Sequence, residues 1–284
     1  MRLLIATPLY PPDLGGPATY TQLLEAGFPE PVTVVKFGDV RKYPKIVRHF
    51  MYFLHVFRAA KHADVILALD PVSVGVPALM AARLRGKTFV VKIVGDYAWE
   101  QGVQRFGIKD SLDTFVRKGR VPFAVATLRA VQTHVAKSAT NVIVPSNYLK
   151  GIITAWGVAP SKIKVIYNAI ELEEGGVVPE EVTRAASPKI VTIGRLVPWK
   201  RIEGIIDAIA LLPGAASLTI VGEGTERARL ETRAKEKLSG RVIFTGPRSH
   251  ADTLAILGAA DIFVLNSSYE GLSHVLIEAL MLGK

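Results

Sequence analysis

The chain has 284 residues, 49% of them apolar and 21% charged, the balance of a globular α/β protein and one that excludes long disordered tracts. It holds no cysteine, so disulfides and thiolate chemistry are excluded, and a reducing compartment is the expected setting. The net charge of +10 is uneven: residues 1–168 hold 22 Lys and Arg against 10 Asp and Glu, residues 169–284 hold 13 against 15, so the first half is expected to meet an anion, either a nucleic acid or an anionic membrane surface.

In chain order, RLLIAT reads as a first strand that runs into Pro11-Pro12 and lacks the apolar core and cleavage pattern of a signal peptide, which points to a cytoplasmic protein. The loop from Pro11 to Thr19 carries Gly15 and Gly16 ahead of a helix expected near Thr19. Paired glycines let backbone approach a phosphate or sugar, and a plain strand-to-helix turn is the equal alternative. After VTVVKF comes a basic aromatic helix, Arg41 to Arg58, with Phe50, Tyr52, Phe53 and Phe57. It can lie in a membrane interface or pack beneath the first sheet. The most apolar stretch, Val65 to Leu84, contains Asp70, Pro71 and Pro77 and reads as strand, turn and helix rather than a membrane span.

The strand TFVVKIV delivers Val94-Gly95-Asp96 to a strand end, where Asp96 can orient an acceptor hydroxyl, act as a base, or simply form a turn. NVIVPS and KVIYNA follow. Residues 171–188, with acidic side chains, Gly175-Gly176 and two prolines, then interrupt the alternation of strands and helices. We place the domain boundary there, giving 1–170 and 171–284. KIVTIG, SLTIVGEG, RVIFTG and DIFVLN resume the pattern, so the chain reads as two Rossmann-like, doubly wound parallel domains whose strand ends face a shared cleft. No two histidines have metal-ligand spacing, and no metal is expected.

The residues suited to chemistry cluster in the second half. Arg195 and Lys200 lie five apart in a loop directly after KIVTI, the arrangement a diphosphate needs because its charge is spread over several oxygens; a pair of solvated surface cations is the plain alternative. Glu270 and Glu278 stand eight apart around a helix that Gly271 is expected to open. Gly271, Leu272 and Ser273 would then present backbone N–H groups to phosphate, Glu278 could accept from ribose hydroxyls, and Glu270 would sit nearer a transferred group; an exposed helix glutamate and a helix N-terminal acid favoured by the macrodipole are the plain alternatives. In a two-domain fold of this kind the base would be met by backbone groups near a loop such as Gly246-Pro247-Arg248.

Taken together, GRLVPWKR, VGEGTERARLE, FTG, AADIFVLNSSYEGLSHVLIEALMLGK, PPDLGGPATY, VPSNYLKGIITAWGV and KIKVIYNAIEL resemble the retaining, nucleotide-sugar-dependent glycosyltransferases of family 4. The resemblance implies a GT-B fold and metal-independent sugar transfer with retention of anomeric configuration, without a cofactor. It implies Arg195 and Lys200 on the donor diphosphate, Glu278 on the ribose and Glu270 facing the donor sugar. The acceptor would be a glycan or a lipid-linked molecule, with peripheral contact to an anionic membrane at the inner face of the plasma membrane and a role in the cell envelope. Many members carry a cleft-loop histidine where this chain has Val94-Gly95-Asp96, so Asp96 is assigned its role from position rather than from the family. The family pattern continues beyond Lys284, which makes the second domain look incomplete. Two other readings compete: a nucleotide-sugar epimerase, which would use the same diphosphate grip, and an inactive nucleotide-sugar-binding fragment. Nucleic acid is disfavoured because the basic residues are scattered and no reading helix or aromatic platform is recognisable.

Overall fold

The computed structural model describes residues 1–13, 16–170, 172–212, 214 and 216–284. The chain divides into two compact units, Met1–Asn168 and Ala169–Lys284. The nine runs quoted above and the strand expected from Val65 are all strands, and among the described residues every pairing is parallel.

In the first unit, β1 (Leu3–Thr7), β2 (Thr33–Lys36), β3 (Val65–Ala68), β4 (Thr88–Lys92), β5 (Asn141–Val144) and β6 (Ile163–Val165) form one sheet in the order β2-β1-β3-β4-β5-β6. Its helices are α1 (Gly16–Gly27), α2 (Lys45–Ala59), α3 (Gly75–Arg85), α4 (Tyr97–Arg105), α5 (Leu112–Arg117), α6 (Phe123–Ser138) and α7 (Asn147–Ala155). Alternate residues of β1 serve opposite faces. Leu3 and Ile5 pack with Leu67, Leu69 and the α1 residues Tyr20 and Leu24, while Leu4 and Ala6 are fully buried on the other side. A sheet covered on both faces explains why these strands read as continuous apolar runs. The helix α1 begins at Gly16, three residues before the expected start, and within it Thr21 Oγ1 donates to Pro17 O and lies 3.2 Å from Thr7 Oγ1 of β1.

The basic aromatic helix α2 divides its aromatics. Tyr52 is fully buried and donates to Val35 O at 2.8 Å, as the core alternative required. Ile46 is 87% exposed and Phe50 60% exposed, and Phe50, Phe53 and Phe57 form a row with centroids 6.3 and 5.7 Å apart. Among the described residues no helix is long and apolar enough to cross a membrane.

The second unit has β7 (Lys189–Ile193), β8 (Ser217–Val221), β9 (Val242–Gly246) and β10 (Ile262–Phe263) in the order β10-β7-β8-β9. The helices α9 (Ile202–Leu211) and α10 (Arg227–Leu238) bury Ile205, Ile206, Leu230 and Leu238 against one face of this sheet, together with Leu218 and Ile220. Then α8 (Glu180–Thr183), α11 (His250–Ala259) and α12 (His274–Met281) bury Val182, Leu257 and Ala279 against the other, with Val191 and Ile193. The unit is therefore doubly wound. The chain runs outward from β7 through β8 to β9, then returns to the far side of β7 as β10. That reversal places a topological switch point between β7 and β10, where ligands of open α/β sheets bind outside the carboxyl ends of the strands.

Candidate functional site

The loops leaving β7 and β10 meet at this switch point. From β7, Gly194 to Val197 lead into a 3-10 turn, Pro198–Lys200, which ends at Arg201 in the left-handed conformation (φ 50°) before α9 starts. From β10, the chain reaches Asn266, whose side-chain amide donates to Arg201 O at 3.0 Å, and Ser268, whose N–H donates to Trp199 O at 2.8 Å. These bonds clamp the two loops together and bring Lys200 Nζ to 2.5 Å from Glu270 Oε1. Both members are largely sheltered, with side-chain exposures of 14% and 28%. Arg195 is exposed, with its guanidinium 5.4 Å from the face of buried Trp199.

A second set of contacts fixes the β7 loop from the β8 side. Leu196 N–H donates to Glu223 O, Glu226 N–H donates to Leu196 O, and Gly222 N–H donates to Gly246 O. The fit requires glycine. A Cβ on Gly222 would stand 2.1 Å from Gly194 O, and one on Gly224 would stand 2.3 Å from Leu196 O. Gly246, at φ 71°, lies at the end of β9 beside the Arg227 guanidinium, which is itself held by Glu223 and Glu231.

The helix α12 starts at His274, not at Gly271. Ser273 is its cap, accepting from Leu276 N–H at 3.3 Å, because its hydroxyl supplies the acceptor that glycine lacks. Gly271 and Leu272 form the half-buried approach to the cap, and Glu270 stands four residues before the helix. Glu278, on the second turn of α12, is 4% exposed and 2.9 Å from His250 Nε2. Nδ1 of the same ring lies 3.1 Å from Glu173 Oε1. Burial alone would lower the His250 pKa, but the two carboxylates more than offset it and raise it above the ordinary histidine value. His250 escaped sequence reasoning because its partners lie 28 residues later and 77 residues earlier. Among the described residues no group of three or more His, Asp or Glu is placed to hold a metal ion.

The expected sites of the first unit do not gather in this way. Gly15 lies outside the described residues, and Gly16 is exposed at the start of α1 with open space around it, so nothing in its packing demands glycine. Asp96 needs correction. It is 1% exposed and caps α4, accepting from Trp99 N–H at 2.9 Å, Gln132 Nε2 at 2.8 Å and Trp156 Nε1 at 3.2 Å. A carboxylate so enclosed holds helices α4, α6 and α7 together rather than standing ready for an acceptor. Lys92, at the end of β4, is 2% exposed, with Nζ 3.3 Å from the centre of the Tyr20 ring and 2.5 Å from Asn168 Oδ1. Burial lowers its pKa from 10.5 to about 7.

Comparison with known proteins identifies the family. Residues 179–284 match the model of the Glycosyl transferases group 1 family, and residues 5–174 match Glycosyltransferase Family 4. A lipopolysaccharide core biosynthesis glycosyltransferase, LpsE of Rhizobium meliloti, is 40% identical over 98 residues, 34% of this chain and 28% of that protein. The N-acetylgalactosamine-N,N'-diacetylbacillosaminyl-diphospho-undecaprenol 4-alpha-N-acetylgalactosaminyltransferase of Campylobacter jejuni is 31% identical over 133 residues, 46% of this chain and 36% of the relative. The matched segments thus span well under half the length of these relatives. The solved structure of Anabaena Alr3699/HepE in complex with UDP-glucose covers 100% of this chain and 79% of its own at a TM-score of 0.73 and 20% identity, a likeness that establishes the fold as GT-B, with two Rossmann-like domains. Because one of the two family models takes in 170 residues, more than half of the chain, and the other continues from residue 179 to its last residue, the chain belongs to the family 4, group 1 glycosyltransferases.

Proposed function

We propose that the chain transfers a sugar from a nucleotide-diphosphate sugar to a glycan or lipid-linked acceptor, with retention and without a metal. The observation that carries this reading is the sheltered Lys200–Glu270 pair clamped at the switch point of the second unit. Lys200 offers a point charge and Arg195 a fork for the diphosphate, and both would stabilise the charge that develops on the leaving group. Glu278 accepts from the ribose hydroxyls, Gly246 lies beside the base, and the N–H groups of the α12 start, from Gly271 to Ser273, meet phosphate. Glu270 faces the donor sugar, its charge balanced by Lys200 until the diphosphate competes for that cation. The Anabaena protein named above was solved with UDP-glucose, which supports a nucleotide-sugar donor for the same fold. A likeness to a putative UDP-N-acetylglucosamine 2-epimerase is lower, at a TM-score of 0.55 and 11% identity.

The acceptor side rests on α2. Ile46 and Phe50 project from it beside exposed Lys42 and Lys45, a composition that suits the interface of an anionic membrane, and the relatives acting on lipopolysaccharide and on a diphospho-undecaprenol substrate favour a cell-envelope role at the cytoplasmic face. The test of the donor site is a thermal-shift screen of UDP-, GDP- and ADP-sugars on the chain and on Arg195→Ala/Lys200→Ala. A selective shift that the double variant loses supports the grip; a shift that survives the substitutions removes it. For the membrane, Lys42→Glu/Lys45→Glu/Phe50→Ser should abolish sedimentation with phosphatidylglycerol vesicles, and undiminished sedimentation removes that part.

A further inference from the structure

The side chain of Glu278 is only 5% exposed, and its setting comes from another helix. Ser249 caps α11 by accepting Asp252 N–H at 3.1 Å, which fixes where that helix starts and hence where its first residue, His250, stands. Asp252 also accepts from Val177 N–H at 2.8 Å and so ties the segment before α8, which includes Glu173, against the same helix start. The His250 ring is thereby held between two carboxylates, Nε2 on Glu278 and Nδ1 beside Glu173. The terminal torsion of a glutamate is broad and roughly two-fold, so a buried carboxylate needs a donor to select its orientation. His250 Nε2–H supplies that donor to Oε1 and leaves Oε2 as acceptor for a further group.

We infer that His250 is a positioning residue for nucleotide recognition: by fixing the Glu278 carboxylate it makes the site select a ribose diol over a deoxyribose. This deepens the donor-site reading and rests on it. A site built to hydrogen-bond a hydroxyl rejects the analogue that lacks it, because the buried acceptor is left unpaired, and the rejection is sharp only while the acceptor is held in place. Without His250 the carboxylate can rotate or take up water, and the discrimination fades.

The experiment is calorimetric titration of UDP, GDP and ADP, and of the 2′-deoxy and 3′-deoxy forms of each, into the unaltered chain, His250→Ala and His250→Gln. The diphosphate that binds the unaltered chain should lose at least tenfold in affinity when the ribose hydroxyl that Glu278 accepts is removed. His250→Ala should bind the ribonucleotide about tenfold more weakly and bind ribo and deoxy forms alike, and His250→Gln, whose amide can donate to Glu278, should restore the discrimination. A His250→Ala protein that keeps the ribo-to-deoxy ratio overturns the inference, since a purely structural role weakens both forms equally. An unaltered chain that binds a diphosphate but ignores its sugar overturns it too. Binding of none of the three overturns the donor-site reading itself. Should alanine unfold α11, His250→Leu, which fills the space without a donor, makes the same comparison.

Discussion

Replacing Lys92 by Met tests whether a buried cation in the first unit has given up its proton. Lys92 is 2% exposed, and burial brings its pKa from 10.5 to about 7. At 1.36 kcal/mol per decade, that drop corresponds to about 5 kcal/mol of penalty on the charged form. Two contacts favour the charged form. The Tyr20 ring 3.3 Å away contributes about 2 kcal/mol to a desolvated cation, and the bond to Asn168 Oδ1 about 1.5–3 kcal/mol. A stability change at one pH mixes these contributions with lost packing, so the informative quantity is the pH dependence of Lys92→Met. With a lowered folded pKa, the unfolded chain binds more protons than the native one between pH 7 and 10.5, so the stability of the unaltered protein rises with pH across that window. Met has no proton to bind. The stability of Lys92→Met relative to the unaltered chain should fall by about 3 kcal/mol between pH 6 and pH 9. Urea unfolding followed by tryptophan emission reads this, since Trp99 and Trp156 both lie in the first unit. A difference that stays flat from pH 6 to 9 refutes the reasoning and means that Tyr20 and Asn168 keep the ammonium fully charged.

Lys200→Ala should weaken nucleoside-diphosphate binding by roughly 10- to 150-fold, the value of about 1.5–3 kcal/mol for a charged hydrogen bond, and calorimetry showing less than a threefold change would remove Lys200 from the grip. Gly222→Ala places a Cβ 2.1 Å from Gly194 O at a φ of 133°, so strain and overpacking together should cost about 2–5 kcal/mol; an unchanged urea midpoint would show that the loops part freely. Asp96→Ala removes a helix cap and leaves the buried donors of Gln132 and Trp156 without their acceptor, a loss of about 2–4 kcal/mol that should leave nucleotide affinity untouched. Intact stability with lost transfer would instead return Asp96 to the chemistry.

What could be read without coordinates was whatever has a local cause. Runs such as LLIAT and KIVTI announce strands buried on both faces, and all ten were legible, as was the doubly wound class, because parallel sheets leave that periodic trace. That the Arg195–Lys200 loop and the Glu270 loop could share a sheet edge was legible because each follows a strand end, and the structure pairs Lys200 with Glu270, whereas Glu278 lies on α12 against His250. The start of α12 was misjudged by three residues, since a glycine draws attention as a punctuator while the serine after it does the capping.

Residue order alone therefore determined that this protein is a pair of parallel α/β units, and which loops bear its charged groups. Only tertiary packing decided which of those groups meet. It paired Lys200 with Glu270 across 70 residues, set His250 between Glu173 and Glu278, enclosed Asp96 among Trp99, Gln132 and Trp156, and turned Phe50 outward while burying Tyr52 two positions later. Secondary structure follows from periodicity and turn chemistry over a few residues, whereas a side chain's partners depend on the sheet order that brings distant segments together and on the shape left between them. A sequence window holds neither.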